Sequence, residues 1–246
     1  MSKHTHPAAL SRLAGHLKRV PSVWRQKRHG APHDLASTCD LKIGDLIFIR
    51  IGSRPFLEVA HATQSWTNHV GIVVAFDQGQ ALIAESKVPL VRTTSMASFV
   101  ARSQGSQYAV ARLLKPLDDA QCDAVASAAQ RRMGIFYDTG FNLDSKRQFC
   151  SRFVREVLYE ATGVAVGEVQ NFSTLLERNP SANLGFWRYW YLGRIPWQRN
   201  TVTPASVFTS PHLQVLFQSP TTAGSGATGR RSRTAATEHV ALSRCA

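Results

Sequence analysis

The chain has 246 residues, with 29 Lys/Arg against 16 Asp/Glu and a formal net charge of +13, long enough for one sizeable domain with tails. Residues 1–33 hold seven Lys/Arg and no acid, and residues 219–246 hold four Arg against Glu238; the remaining 18 basic and 15 acidic residues leave the middle with an ordinary globular balance. A basic stripe on a folded face is the footprint of nucleic-acid binding, whereas basic tails are weaker evidence, so no specific nucleic acid is expected as a partner.

Four cysteines stand far apart, Cys39, Cys122, Cys150 and Cys245, with no CxxC or Cys/His ligand spacing. That argues against zinc and against a disulfide framework, and it fits a reducing compartment. The N-terminus never offers the roughly 7–15 apolar residues of a secretory signal, and no run approaches the roughly 20 apolar residues of a membrane span; a cytoplasmic protein is expected. Within the leader, ALSRLAGHLKRVPSVW offers a short basic amphipathic stretch for weak contact with a membrane surface, interrupted by Pro21. The expected organisation is a disordered basic leader at 1–38, a catalytic domain at 39–215 and a disordered tail at 216–246.

In chain order, KIGDLIFIRI (42–51) reads as a Gly-Asp turn entering a strand, and RPFLEVAHAT (54–63) as a short helix. HVGIVVAF (69–76), the DQGQ turn and ALIAES (81–86) read as a hairpin. SMASFVARS suggests a short helix, and QYAVARLL (107–114) another strand. LDDAQCDAVASAAQRRMG (117–134) has acids in its first turn, arginines in its last and Gly134 as its stop, the pattern of a helix. A second helix begins near Cys150, with apolar residues at 150, 153, 154, 157, 158 and 161, and ends at Gly163. FSTLLERN (172–179) predicts a further helix, and the aromatic cluster GFWRYWYLGRIPW (185–197) is expected to cover the sheet. Strands in the middle with helices to either side predict an α+β fold.

The chemistry centres on Cys150 and His69. A thiol in the first turn of a helix sees unpaired backbone N–H groups, and these with a neighbouring imidazolium lower a thiol pKa from about 8.5 to roughly 3.5–7.5. The bland alternative is a buried small hydrophobe. His69 shares a strand face with Gly71 and Val73, and Asn68 and Gly71 are expected to leave room around its ring; the alternative is a hydrogen-bonded core histidine. Glu85 lies on a face with Ala81 and Ile83, where a carboxylate needs a partner. The Nδ1–H of His69 is the natural one, unless the strand has ended and Glu85 is solvated. Tyr137 could donate to a developing oxyanion beside the Cys150 N–H, or be a core tyrosine. Asp45 and Asp138 read as turn residues. Arg147, Arg152 and Arg155 either steer an anion or form a solvated helix face.

GDLIF (44–48), NHVGIVV (68–74), AES (84–86), GIFYD (134–138) and FCSRFV (149–154) stand in the order, and at the spacing, that resembles the permuted papain-like amidases of the YiiX/YebB type in the NlpC superfamily. The RIPWQRNTVTPAS ending is similar to the YebB subgroup. The resemblance covers about 40–160 and implies a circularly permuted papain-like fold: a nucleophile-bearing helix on an antiparallel sheet. It also implies Cys150 as nucleophile, His69 as base, Glu85 as the orienting residue and Tyr137 near the active site. The activity implied is cysteine-dependent hydrolysis of an amide through a thioester, on a peptide or small acyl-containing substrate, with no cofactor. A lipid acyltransferase or thioesterase with the same dyad, and a non-enzymatic basic binding module, stay open.

Overall fold

The computed structural model describes residues 40–220. The basic leader and most of the proposed tail lie outside the described residues, as do Cys39 and Cys245. Eight strands and seven helices follow in the order β1 (Leu46–Ile51), α1 (Arg54–Ala62), β2 (His69–Asp77), β3 (Gln80–Ser86), β4 (Val91–Ser95), α2 (Met96–Val100), β5 (Ser103–Leu113), α3 (Asp119–Gln130), α4 (Cys150–Thr162), β6 (Val169–Asn171), α5 (Phe172–Arg178), α6 (Leu184–Trp190), β7 (Asn200–Val202), α7 (Pro204–Phe208) and β8 (Leu213–Gln218).

Six strands form one antiparallel sheet in the order β4-β3-β2-β1-β5-β8, and β6 pairs with β7 in a separate ribbon. This is the expected α+β arrangement, an antiparallel sheet with the Cys150 helix packed on it. Alternation along the strands produces two cores. Phe48, Val70, Ile72 and Ala84 pack beneath Val154, Val157 and Leu158 of α4 and Val125 of α3. On the other face, Ile47, Val73, Ile83 and Tyr108 pack with Met96, Phe99 and Val100 of α2.

Two expectations are corrected and one strand is added. Leu216–Gln218, assigned to the tail, belong to β8, which pairs with β5. VRTTS, unassigned from sequence, is edge strand β4. The aromatic cluster does not cover the sheet: Phe186, Trp187 and Ile195 form a separate core with Val59 and Ala62 of α1, Phe141 and Phe172. Its own aromatic side chains satisfy one another, as in the edge-to-face pair Phe186–Trp187 at 5.1 Å.

Gly71 is required by packing. A Cβ there would lie 2.5 Å from Ile83 Cγ2 and 2.9 Å from Phe99 Cε2. The space that the sequence suggested for the His69 ring is therefore filled by Phe99. Gly71→Ala is expected to lower stability by roughly 1–3 kcal/mol through overpacking, measured by urea denaturation, with Phe99 displaced from His69.

Candidate active site

Helix α4 starts at Cys150, and its N-cap is Phe149, in extended conformation and with no side-chain cap. A helix normally gains about 1 kcal/mol from Ser, Thr, Asp or Asn at this position. Here the first-turn amides are left to whatever lies before the helix. Ser151 Oγ donates to Val202 O at 2.8 Å and ties the helix start to β7. Phe153 and Val154, both fully buried, seat the helix on the sheet.

His69 opens β2 and is 1% exposed. Asn68, just before it, is a strut rather than a spacer: its Oδ1 accepts from Ile51 N at 2.7 Å and its Nδ2 donates to Ile51 O at 3.0 Å. The imidazole stacks on Phe99 at 5.6 Å and meets Phe56 edge-on at 5.9 Å. Its Nε2 donates to Glu85 Oε2 at 2.6 Å. The expected pair is present, but through Nε2 and not Nδ1. That leaves Nδ1 buried without a well-formed hydrogen bond, and Cys150 is the group that acts on the ring besides Glu85. Long thiol–imidazole approaches are common before substrate tightens a site.

Glu85 is fully buried at the end of β3, so it is not the solvated strand-end carboxylate. Both its oxygens also accept from Arg102 Nη2, at 2.7 and 2.8 Å. Arg102 was missed in the sequence, where it trails a short helix with nothing to mark it. It lies just past α2, with its guanidinium 5.0 Å from the Phe99 ring centre, so Phe99 packs against both partners of the carboxylate. Burial alone would raise the Glu85 pKa; His69 and Arg102 more than offset this and hold it below the usual carboxylate value. Burial alone would likewise lower the His69 pKa, but the Cys150 and Glu85 interactions raise it to about 9.

Tyr137 is held from both sides. Its N–H donates to Pro89 O at 2.8 Å, Asp138 N–H donates to Gln148 O at 2.7 Å and Gln148 N–H to Phe136 O at 3.0 Å. This short ladder runs directly into Cys150. The phenol is buried with no hydrogen-bond partner of good geometry. Burial pushes its pKa well up, and the neighbouring Cys150 and Asp138 push it further, so the hydroxyl keeps its proton at neutral pH.

Asp138 anchors its loop by accepting from the amides of Gly140 and Asn142, and Asp45 accepts from Lys42 N and the Arg112 guanidinium; both are the turn residues expected. Arg152 and Arg155 neither steer an anion nor form a solvated face. Arg152 bonds Glu156 and the carbonyls of Asn142, Ser145 and Arg147, while Arg155 bonds those of Val166 and Gly167. Arg147 is exposed.

Cys150 and Tyr137 border an apolar cleft that opens to solvent. Phe56, Phe141, Leu175, Leu176, Trp187 and Trp197 supply much of its wall, and no charged side chain lines it.

The site thus joins a cysteine at a helix start, a histidine at the start of β2 and a carboxylate bonded to that histidine. The sequence profile of the permuted papain-like amidase enzymes, the YaeF/YiiX, C92 family, matches residues 40–217. The chain belongs to that family. It is 29% identical over 173 residues to the uncharacterized protein YiiX of Escherichia coli K12, spanning 70% of this chain and 84% of that relative. The crystal structure of YiiX from Escherichia coli O157:H7, titled a metalloprotein, superposes with a TM-score of 0.67 at 29% identity, covering 72% of this chain and 97% of that one. The described residues here bring together no group of three or more His, Cys, Asp or Glu that would fit a metal ion. Family membership makes this a cysteine hydrolase of amidase type, acting on an amide-containing substrate.

The His69 ring should titrate near 9 by NMR. Because its pKa is raised above the unfolded value of about 6.5, its stabilising contribution is complete below that pH and lost as pH rises through about 9. Glu85→Gln is expected to move that titration downward. Arg102→Gln should raise the Glu85 pKa and cost stability at the lower end of the roughly 3–5 kcal/mol seen when buried pairs are broken, since His69 still faces the carboxylate.

Proposed function

We propose that the protein hydrolyses an amide whose acyl group is hydrocarbon, through a thioester on Cys150. The observation that carries this reading is the meeting of Cys150, the imidazole of His69 and the phenol of Tyr137 beside a cleft with no charged lining. Several other polar side chains of the cleft wall are turned onto the backbone: Asn68 bonds Ile51, Thr63 donates to Val59 O, Ser151 to Val202 O, and Thr203 caps α7. His69 does not line the cleft while Tyr137 does, which favours the acyl group in the cleft and the leaving amine on the histidine side.

In the proposed reaction, the Cys150 thiolate attacks the carbonyl carbon, and the charge moves to the carbonyl oxygen. The Tyr137 O–H and first-turn amides of α4 stabilise that oxygen. The proton on His69 Nδ1 passes to the nitrogen as the C–N bond breaks, and the amine leaves. Water then gives a proton to Nδ1 as it attacks the thioester, and the C–S bond breaks to release the acid and restore the thiolate beside the protonated ring. Glu85 and Arg102 hold the ring so that Nδ1 faces the sulfur throughout. An acceptor other than water would use the same thioester, and the apolar cleft favours this second reading only where a lipid acceptor is present.

Cys150→Ser should abolish labelling by iodoacetamide at pH 6 while Cys39, Cys122 and Cys245 label slowly; equal reaction of all four would sink the nucleophile assignment. Glu85→Gln should lower kcat by roughly 10²–10⁴-fold with KM little changed, and the double variant with His69→Ala should be no worse than His69→Ala alone. For fatty acyl anilides, kcat/KM should rise roughly fourfold per methylene, from about 0.8 kcal/mol of burial each, until the cleft is full. A flat series, with peptide anilides preferred, would refute the hydrocarbon assignment and leave the cysteine chemistry standing.

A further inference from the structure

We propose that the turn closing α6, residues 188–194, docks the protein on an anionic lipid bilayer. This turn presents Leu192 at 92% exposure and Tyr189 at 80%, the two most exposed large hydrophobic side chains of the described residues. They stand between Arg188 and Arg194, both exposed. The turn is well formed: Leu192 N–H donates to Tyr189 O at 3.2 Å, Gly193 N–H to Arg188 O at 2.7 Å and Arg194 N–H to Tyr191 O at 3.0 Å.

Leu192 is held at φ +50°, a left-handed conformation that costs a non-glycine residue and is met mostly at Gly, Asn or Asp. In the isolated protein that cost gains no packing, because the side chain points into solvent. A hydrocarbon surface would supply the missing contact. The charge fits a bilayer of negative sign. Residues 180–212 contain Arg188, Arg194 and Arg199 and no acid. Two acids of neighbouring elements are already engaged, Glu58 with Arg54 and Asn183 and Asp138 on its own loop amides, while Glu177 of α5 is exposed. Arg199 is turned inward, donating to Gly140 O. Exposed apolar side chains flanked by arginines are the composition that seats at a lipid head-group boundary.

The same segment continues into the cleft. Leu184, Trp187, Ile195 and Trp197, on either side of the turn, line it, so a docked turn would place the cleft wall against the bilayer. The docking stands on the turn alone; delivery of a lipid-borne acyl group from the bilayer rests on the function proposed above.

The test is cosedimentation of the full chain with phosphatidylcholine vesicles, with and without phosphatidylglycerol. The wild-type protein should sediment with the anionic vesicles. Leu192→Glu and Tyr189→Glu should each weaken that binding by about tenfold or more, and Arg188→Gln and Arg194→Gln by about fivefold each. Gln80→Glu, the same charge change at the tip of the β2–β3 hairpin, should have far less effect, which separates local docking from attraction of the basic ends. Leu192 does not line the cleft, so Leu192→Glu should keep the iodoacetamide labelling of Cys150 and the hydrolysis of a water-soluble short-chain anilide. Wild-type protein left in the supernatant, or Leu192→Glu sedimenting like wild type, overturns the proposal. Loss of binding in Leu192→Glu supports it, even if no amide is ever turned over, in which case only the proposed function fails.

Discussion

A carboxylate with no solvent exposure must be neutralised by its neighbours, and Glu85 is such a group, fully buried at the end of β3. Two cations answer it from different elements, His69 at the start of β2 and Arg102 beyond α2. Removing either leaves a buried charge half-compensated, so sheet register, the position of α2 and the angle of the imidazole are coupled through one side chain. The register that sets Ile72 opposite Ala84 puts His69 and Glu85 on one face. A slip of a single residue would turn Glu85 toward α4 and leave His69 without its partner. Phe99 locks the arrangement by packing against both cations, and it reaches them because position 71 has no side chain.

The consequence for chemistry lies at the far side of the ring. With Nε2 committed to Glu85, the free nitrogen is Nδ1, and the interactions that hold the ring also keep it protonated to about pH 9. That imidazolium and the uncapped start of α4 both border the sulfur of Cys150, the nucleophile of the proposed reaction. The surroundings omit local stabilisation that an ordinary core would include: a phenylalanine stands where a capping residue belongs, and His69 Nδ1, Tyr137 Oη and Gln148 Oε1 are buried without partners. Each such atom costs roughly 1–3 kcal/mol. For His69 and Tyr137 the proposed reaction gives the cost a purpose, since a tetrahedral intermediate would meet both. Ser86 Oγ and Trp66 Nε1 are also unpartnered, and the proposed reaction does not explain them.

The sequence made the framework legible because its signals are local. β-branched alternation gave β2, the 3.6-residue period gave α4, and the Asp118–Asp119 start gave α3, whose capping box pairs Asp118 with Gln121. The ordered motifs located Cys150, His69, Glu85 and Tyr137, and the fold gathers all four. What escaped depends on contacts across space. Arg102 is one arginine among many until the α2–β5 connection brings it onto Glu85. Which imidazole nitrogen meets the carboxylate follows from ring packing against Phe56 and Phe99, to which no spacing rule speaks. Arg152 and Arg155 looked like surface charge because most of their partners are backbone carbonyls of the loops that flank α4. The aromatic segment was legible as apolar, but its partner was not: it closes over α1 and α5 and so makes a cleft where a sheet cover was expected.

In the proposed function the cleft and the polar cluster divide the labour: the carbonyl sits where Cys150 and Tyr137 converge, with hydrocarbon on one side and a nitrogen on the other. The hydrocarbon side carries no charged side chain, and several of its polar side chains are bound to the backbone. In the proposed reaction, once the amine has left, the place it vacates beside Nδ1 becomes the one position where water finds a base at the thioester. Deacylation then retraces acylation, with the proton moving over the same nitrogen in the opposite direction. The orientation of the ring therefore serves both halves of the reaction, and it is set by Glu85 and Arg102, neither of which needs to touch the substrate.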